Sequence, residues 1–177
     1  TMAKQARTHK NKSLVLIGCG NLAWHLALQF NNTKQFDITI VNHRANTNLD
    51  DFRLKLKTKI VIGLENIPIK ADYYILCVSD SVLPEVVESI RPANPKAIVM
   101  HTSGSTGLDV FANLICHCGV LYPLQSFSKD TAVNWSTTPL LIEARETAAL
   151  QHIKSLGNYL TSNIVRAGTE KRLHLQD

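Results

Sequence analysis

Apolar runs and helix-like patterns alternate along most of this 177-residue chain. Short runs of branched apolar residues, such as 14–17, are typical of buried strands, whereas apolar residues three or four apart are typical of amphipathic helices. Leu22, Leu26 and Phe30 share one helical face in this way. The pattern predicts strands near 13–17, 37–41, 60–62, 73–78, 97–100, 119–122, 139–142 and 163–166, and helices near 21–31, 82–90, 107–116 and 145–158, with a weaker helix near 47–56.

The central strands are apolar at nearly every position rather than at alternate ones. Residues 74–78 and 97–100 are the clearest cases. Strands with this composition are buried on both faces, as in parallel sheets that are covered by helices. Because crossovers between parallel strands are right-handed, we expect an α/β fold with a doubly wound, mostly parallel sheet of the Rossmann type, whose ligands bind at the carboxyl ends of the strands.

The first junction between strand and helix has the sequence Gly18-Cys19-Gly20-Asn21-Leu22-Ala23. Such a turn exposes the unpaired N–H groups of a helix N-terminus, which can bind an anion. Gly18 would allow the turn, Gly20 would let the backbone approach a pyrophosphate, and Ala23 would let helix and strand pack closely. Many Gly-x-Gly turns bind nothing, but the order of strand, turn, helix and strand favours a dinucleotide. The residues expected to bind its pyrophosphate are Gly18, Gly20, Asn21 and Leu22.

The end of the second predicted strand bears on the choice of nicotinamide cofactor. An acidic residue there binds the ribose hydroxyls of NAD. Residues 41–44 read Val-Asn-His-Arg instead, and the planar guanidinium of Arg44 can bind a 2′-phosphate. Asn42, with Asn46 or Thr47, can donate further hydrogen bonds. We therefore expect NADP rather than NAD, although Arg44 could also be an ordinary exposed loop arginine.

The fourth predicted strand should end beside the cofactor's ribose. We expect the backbone of Val78 and Ser79 to contact the cofactor there. For Asp80 or Ser81 the main role expected is to cap the following helix.

The fifth predicted strand brings a histidine and two hydroxyls to the same edge, at residues 101–105. His101 could carry a proton to or from a carbonyl, because the usual pKa of histidine lies near neutrality. Ser103 could orient the substrate, so His101 and Ser103 are the candidate catalytic residues. The alternative is that Thr102, Ser103 or Ser105 caps the next helix and that His101 is structural.

Composition and charge argue against several other functions. The chain is 45% hydrophobic and 19% charged, which suits a globular domain, and no apolar run approaches the roughly 20 residues that cross a membrane. Its net charge is +5, but a tail at 1–12 carries four basic residues and no acidic one. Removing those four leaves 15 of the 19 basic residues against 14 acidic ones, so we expect no nucleic-acid partner.

The four cysteines are Cys19, Cys77, Cys116 and Cys118. With no secretory signal and enough length for an apolar core, they do not suggest a disulfide framework. One Cys-x-Cys without a second ligand pair is poor zinc spacing, so we expect no metal. The cytoplasm is the simplest compartment.

Four segments together resemble a family of Rossmann-like oxidoreductases, the DUF2520-type proteins, which are distantly related to pyrroline-5-carboxylate reductase and ketopantoate reductase. The segments are Gly18-Cys19-Gly20-Asn21, Val78-Ser79-Asp80, His101-Thr102-Ser103-Gly104 and Pro123-Leu124-Gln125-Ser126-Phe127. The resemblance implies a dinucleotide-binding domain at 13–168. It also implies that a long helical domain, which normally dimerises and closes the substrate cleft, would begin within 169–177 and is truncated or missing here.

The chain departs from the family at Tyr122, where the family usually has histidine. Nearby, Gln125 and Ser126 either face the same cleft or form a buried turn. The features above predict an NADP-dependent oxidoreductase that transfers hydride to or from a small carbonyl or imine substrate, with a homodimer allowed by the resemblance. Two rival hypotheses are a non-catalytic nucleotide sensor or scaffold, and a flavin- or deazaflavin-dependent reductase, which shares the same turn.

Overall fold

The computed structural model of the chain, which describes residues 11–176, is built around an eight-stranded sheet with the order β3-β2-β1-β4-β5-β6-β7-β8. Every predicted strand is present, with ends that differ by two residues at most, and the α/β class is confirmed. The strands are β1 (Lys12–Ile17), β2 (Phe36–Asn42), β3 (Lys59–Ile62), β4 (Tyr73–Leu76), β5 (Ile98–His101), β6 (His117–Pro123), β7 (Leu140–Ala144) and β8 (Ile164–Arg166). Neighbouring strands are parallel except for β6 and β7, which pair antiparallel.

Helices cover both faces of this sheet, and its inner strands are apolar on both sides. Leu14 and Leu16 of β1 lie in one core, and Val15 and Ile17 lie in the other. The first core is covered by α1, α2 and α4, and the second by α3. The helices are α1 (Asn21–Asn32), α2 (Asn48–Lys55), α3 (Leu83–Ser89), α4 (Thr147–Gly157) and α5 (Thr169–Gln176).

The sheet reverses its winding direction between β1 and β4. The connection from β1 to β2 passes through α1 on one face, and the connection from β4 to β5 passes through α3 on the other. Hydrogen bonds from Gly18 N–H to the Val41 carbonyl (2.8 Å) and from Cys77 N–H to the Ile17 carbonyl (2.7 Å) hold the strand ends together. A crevice at the carboxyl ends of strands at such a reversal is the usual ligand site of these sheets.

The helix predicted at 107–116 is wrong. Only a 3₁₀ turn forms there, at Leu108–Phe111. The guanidinium of Arg145, beyond the end of β7, donates to the carbonyls of Phe111 (2.6 Å), Leu114 (2.8 Å) and Cys116 (2.7 Å). These bonds satisfy the carbonyls of an irregular segment, so the local helical pattern is overridden by a residue about 30 positions away.

The short 3₁₀ turn leaves part of the second face of the sheet thinly covered. A groove of about 1330 Å³ lies there, between α3 and the segment at 109–116. Ile115 at its rim is fully exposed. The groove is lined by residues of α3 and of the 92–95 loop rather than by the glycine turn.

The ends of the chain bear on the predicted domain boundaries. Most of the expected basic tail lies outside the described residues, and Lys12, the last residue assigned to it, is the first of β1. Thr169–Gln176 forms α5. Within residues 11–176, none of the helices has the length and apolar character needed to span a bilayer.

Candidate functional site

The glycine turn after β1 holds two glycines with different local requirements. Gly18 has a φ of +113°, and a Cβ there would lie 2.3 Å from the carbonyl oxygen of Cys77. Side chains are therefore excluded at Gly18, where the backbones after β1 and β4 meet. Gly20 has an ordinary φ of −83°, and a Cβ there would meet no described atom within 4 Å. Its missing side chain leaves open space at the mouth of the turn.

This open space faces the N-terminus of α1. Gly20 is the N-cap, no side chain caps the helix, and its first turn contains no acidic residue. The first hydrogen bond of the helix runs from Trp24 N–H to the Gly20 carbonyl (3.0 Å). The preceding N–H groups and the helix dipole therefore favour an anion. The turn fits the pyrophosphate of a dinucleotide, since a Cβ at Gly20 would fill the position that an approaching phosphate needs.

Two asparagine side chains connect the glycine turn to segments outside the motif. Asn21 Nδ2 donates to the Phe127 carbonyl (3.2 Å), and Asn48 Nδ2, at the start of α2, donates to the Cys19 carbonyl (3.3 Å). Asn48 was not identified from the sequence. The only local signal was its place among polar residues before a helix, a pattern that also describes an ordinary cap.

The loop after β2 presents Arg44 on the surface. Asn42 is buried, and its Nδ2 donates to the Arg44 carbonyl (2.8 Å), so it shapes the loop. Arg44 Nε donates to Nε2 of His43 (2.8 Å), which leaves both terminal nitrogens of the guanidinium for other acceptors. The backbone N–H of Asn48, the first residue of α2, donates to Asn46 Oδ1 (2.8 Å).

A smaller groove of about 540 Å³ begins at His43. Glu65, Glu85 and Glu88 line it together with Arg91. Three carboxylates against the one guanidinium of Arg91 disfavour a phosphate inside this groove.

The loop after β4 lies directly beside the glycine turn. A Cβ at Gly18 would lie 3.5 Å from Cγ1 of Val78, and the Ser79 carbonyl accepts the N–H groups of Val82 and Leu83 (3.1 Å each). The cap expected from Asp80 or Ser81 is wrong, because α3 begins after Val82 without a side-chain cap.

Asp80 and Ser81 have other partners. Asp80 accepts a hydrogen bond from Ser105 Oγ (2.6 Å), and Ser81 Oγ contacts Ser79 Oγ (3.2 Å). Asp80 therefore joins the loops that follow β4 and β5.

His101 is completely buried at the end of β5. Its Nδ1 accepts from Ser103 N–H (3.0 Å), its Nε2 lies 3.2 Å from the Gly107 carbonyl, and its ring stacks on Phe111 at 5.5 Å. Nε2 is therefore the protonated nitrogen of a neutral ring. Burial lowers the pKa of His101 to about 4. This environment favours the structural role that the sequence left open.

The turn after β5 is organised by Ser103, which is also buried. Its Oγ accepts the N–H groups of Ser105 (3.1 Å) and Thr106 (2.9 Å). Thr102 Oγ1 donates to the Leu76 carbonyl (2.9 Å), which ties the turn to β4. Ser103 Oγ also lies 3.5 Å from Ser105 Oγ. Because Ser105 donates its own proton to Asp80, the Ser103 O–H is the donor in this long contact.

The loop after β6 folds over the start of α1. His25 Nε2 lies 2.6 Å from the Ser128 carbonyl, and Phe127 packs against the rings of His25 and Trp135. Gln125 is exposed and its Oε1 accepts from Thr138 Oγ1 (2.5 Å). Ser126 is also exposed, so neither residue lies in the buried turn that was the alternative.

A family model matches the part of the chain that builds this edge of the sheet. Residues 13–104, just over half of the chain, match the family described as NADP oxidoreductase, coenzyme F420-dependent. No curated protein matches the chain.

Solved structures share the fold. The chain is similar to a proposed NADP oxidoreductase from Bacteroides fragilis, with 30% identity and a TM-score of 0.82 over 93% of this chain and 64% of that one. Similarity to the NADP-bound pyrroline carboxylate reductase of Plasmodium falciparum (12% identity, TM-score 0.67) covers 92% and 60% of the two chains. Similarity to the imine reductase of Streptomyces aurantiacus (16% identity, TM-score 0.69) covers 93% and 58%. The chain thus spans less than two thirds of the length of each.

Proposed function

The chain belongs to the NADP oxidoreductase family described as coenzyme F420-dependent, and we propose that it binds NADP(H) at the carboxyl edge of β1, β2 and β4 and transfers hydride to or from a small carbonyl or imine. The open glycine turn at the uncapped N-terminus of α1 is the observation that carries this proposal. The bound cofactor would supply the hydride chemistry, and the residues of this chain bind and orient it.

The adenosine half of the cofactor is bound by two groups of residues in this proposal. Backbone N–H groups at Gly20, Asn21 and Leu22 hold the pyrophosphate, and Gly18 provides the turn. The Arg44 guanidinium binds the 2′-phosphate, held in place by His43 and by the loop that Asn42 shapes.

The nicotinamide half of the cofactor, where hydride is transferred, would lie along the loops after β4 and β5. Val78 and Ser79 flank the glycine turn and would contact the ribose and the nicotinamide through their backbone. Ser103 would exchange its long contact with Ser105 Oγ (3.5 Å) for a hydrogen bond from its O–H to the substrate carbonyl or imine. His101 would position Ser103 through the Ser103 amide. A role for His101 as the proton carrier stays a prediction, which the pH dependence of turnover would decide.

The substrate class follows from the similar structures. One is a pyrroline carboxylate reductase and another is an imine reductase, so we propose a C=N or C=O bond as the hydride acceptor. The family description adds the deazaflavin coenzyme F420 as a further acceptor to test.

A second candidate is a nucleotide-binding protein without turnover. The closed hydrogen bonding of His101 and the tyrosine at position 122 favour it. A fold does not determine an activity.

The test is a calorimetric titration with NADPH and NADH, followed by absorbance at the nicotinamide band with cyclic imines, carbonyls and oxidised F420. We expect saturable binding of NADPH, weaker binding of NADH, and oxidation of NADPH by at least one acceptor. Binding without oxidation by any acceptor would favour the second candidate. No heat with either nucleotide would contradict both.

Three other expectations remain proposals. We propose that 13–168 is the cofactor-binding unit, that the protein acts in the cytoplasm, and that it forms a homodimer. The exposed Leu173 and Leu175 on α5 offer apolar surface for self-association. Sedimentation equilibrium would show a mass near twice 19.7 kDa if the homodimer forms.

A further inference from the structure

The buried guanidinium of Arg172 lies outside the groups assigned to the cofactor above. Arg172 of α5 is completely buried, whereas its neighbours Lys171 and Leu173 are exposed. Burying a guanidinium costs free energy unless it is paired and hydrogen-bonded. The hydrogen-bond partners of Arg172 must therefore offset the cost of its burial.

Those partners belong to three different segments. The guanidinium donates to Glu143 Oε1 on β7 (3.2 Å), and to the Ala167 carbonyl (3.0 Å) and Thr169 Oγ1 (3.3 Å) at the start of its own helix. It also donates to the Thr106 carbonyl, in the turn after β5, at 2.6 Å. One side chain thus joins α5 and β7 to that turn.

The Thr106 contact continues into the reacting half of the site. Thr106 N–H donates to Ser103 Oγ (2.9 Å), and Ser103 N–H donates to His101 Nδ1 (3.0 Å). His101 Nε2 in turn lies 3.2 Å from the Gly107 carbonyl. A continuous series of hydrogen bonds therefore leads from Arg172 to the end of β5.

The start of α5 also lies close to the turn after β5 and to the side chain of Glu143. A Cβ at Gly107 would lie 2.9 Å from Asp109 Oδ1 and 3.3 Å from Thr169 Oγ1. A Cβ at Gly168 would lie 2.9 Å from Glu143 Oε2. The start of α5 therefore packs directly against the turn after β5 and against β7.

We propose that Arg172 is a positioning residue that holds the turn at 102–107 in the conformation that accepts the nicotinamide end of the cofactor. This inference rests on the proposed function. The inference assigns Arg172 to the nicotinamide half of the site only. The glycine turn and Arg44, which form the adenosine half, are not among the contacts of Arg172. Substitution of a residue that merely anchors α5 would not affect the nicotinamide half more than the adenosine half.

Two ligands that share the adenosine half test this separation. NADP contains the nicotinamide, and 2′-phospho-ADP-ribose lacks it. In Arg172→Lys the planar fork is lost and the charge is kept. We expect the Kd of NADP to rise about tenfold, as for loss of one charge-assisted hydrogen bond, and the Kd of 2′-phospho-ADP-ribose to stay within about twofold.

The matched control is Arg166→Lys, because Arg166 is an exposed arginine on β8. It should change neither Kd. Equal weakening of both ligands in Arg172→Lys, or no weakening of either, would overturn the inference. Failure of the unaltered protein to bind either ligand would overturn the proposed function and this inference with it.

A second measurement needs no variant and covers the case in which Arg172→Lys does not fold. In hydrogen exchange on the unaltered protein, NADP should slow the amides of Thr106 and Arg172, which donate to Ser103 Oγ and to the Gly168 carbonyl. The analogue without nicotinamide should leave both rates unchanged. Protection by both ligands, or by neither, would contradict a link between α5 and the nicotinamide end.

Discussion

Gly18 and Gly20 are two residues apart and need to be glycine for different reasons. Gly18 has a positive φ and no room for a Cβ beside the Cys77 carbonyl. Gly20 has neither restriction, and its missing side chain leaves space that a ligand can use. The first requirement belongs to folding, and the second belongs to the proposed binding of the cofactor.

Substitution separates these two requirements. Gly18→Ala should lower the free energy of unfolding by more than about 2 kcal/mol, because of backbone strain and the clash with the carbonyl. Gly20→Val should leave the free energy of unfolding within about 1 kcal/mol of the original but weaken NADPH at least about tenfold, because its side chain fills the phosphate position. Urea unfolding and calorimetry measure the two effects. A Gly20→Val protein that binds NADPH normally would show that the phosphate does not approach there.

Arg44 determines the preference between the two nicotinamide cofactors in this account. Arg44→Ala should raise the Kd of NADPH about 10- to 100-fold and leave that of NADH nearly unchanged, since only NADPH has the 2′-phosphate. Arg53→Ala on α2 is the control, because Arg53 is exposed and pairs only weakly with Asp50. An equal loss of affinity for NADPH and NADH would argue against a contact between Arg44 and the 2′-phosphate.

His101 should make the stability of the protein depend on pH. Its pKa is about 4 when folded, against a usual value of 6.5, because burial disfavours the charged ring. Between these values the unfolded chain binds a proton that the folded protein does not, so stability falls as pH falls from 6.5 to 4. The loss should reach roughly 2 kcal/mol by pH 5.

The matched variant is His101→Asn, whose side chain can still accept the Ser103 amide but does not titrate. Its free energy of unfolding in urea should be lower than that of the unaltered protein at pH 7 and should fall less between pH 7 and pH 5. An identical pH dependence in both proteins would show that His101 is not the group responsible.

At the scale of elements, strands were the easier part to predict. Buried strands such as β4 and β5 are continuous apolar runs, and a continuous run has few other structures available in a chain of this pattern. The helix at 107–116 could not be judged in the same way. Its apolar spacing fits a helix, but its carbonyls are taken by Arg145, which no local pattern places nearby.

The same limit applies to the site. The glycine turn and the loop after β2 could be proposed from the sequence because their chemistry is contained in adjacent residues. Asn48 and Arg172 could not, since each acts on a segment that is distant in sequence. The role of Asp80 was assigned to the nearest helix, whereas its partner, Ser105, belongs to the next loop.

Arg145 should therefore matter for stability and not for the cofactor. Arg145→Lys removes a planar donor that serves three carbonyls, and a lysine ammonium cannot reproduce that geometry. We expect the free energy of unfolding to fall by roughly 2 kcal/mol and the Kd of NADPH to stay unchanged. Chemical unfolding and nucleotide titration of the same preparation measure both. A large loss of NADPH affinity with intact stability would place Arg145 in the site instead.

At the scale of the whole molecule, the groove beside α3 and the proposed cofactor edge lie apart. The groove of about 1330 Å³ runs along α3 and the 109–116 segment, while the glycine turn lies at the reversal between β1 and β4. The groove beside α3 is therefore a different candidate site from the one that the backbone geometry supports. A nucleotide bound at one site would shift a different set of backbone amide resonances from a nucleotide bound at the other.

The most direct test is a ¹H–¹⁵N NMR titration of the labelled protein with NADP. The account predicts that the amide resonances of Gly20, Asn21 and Leu22 shift and saturate together, since these N–H groups bind the pyrophosphate. Unchanged resonances at these three residues, with saturating shifts confined to the groove beside α3, would contradict it.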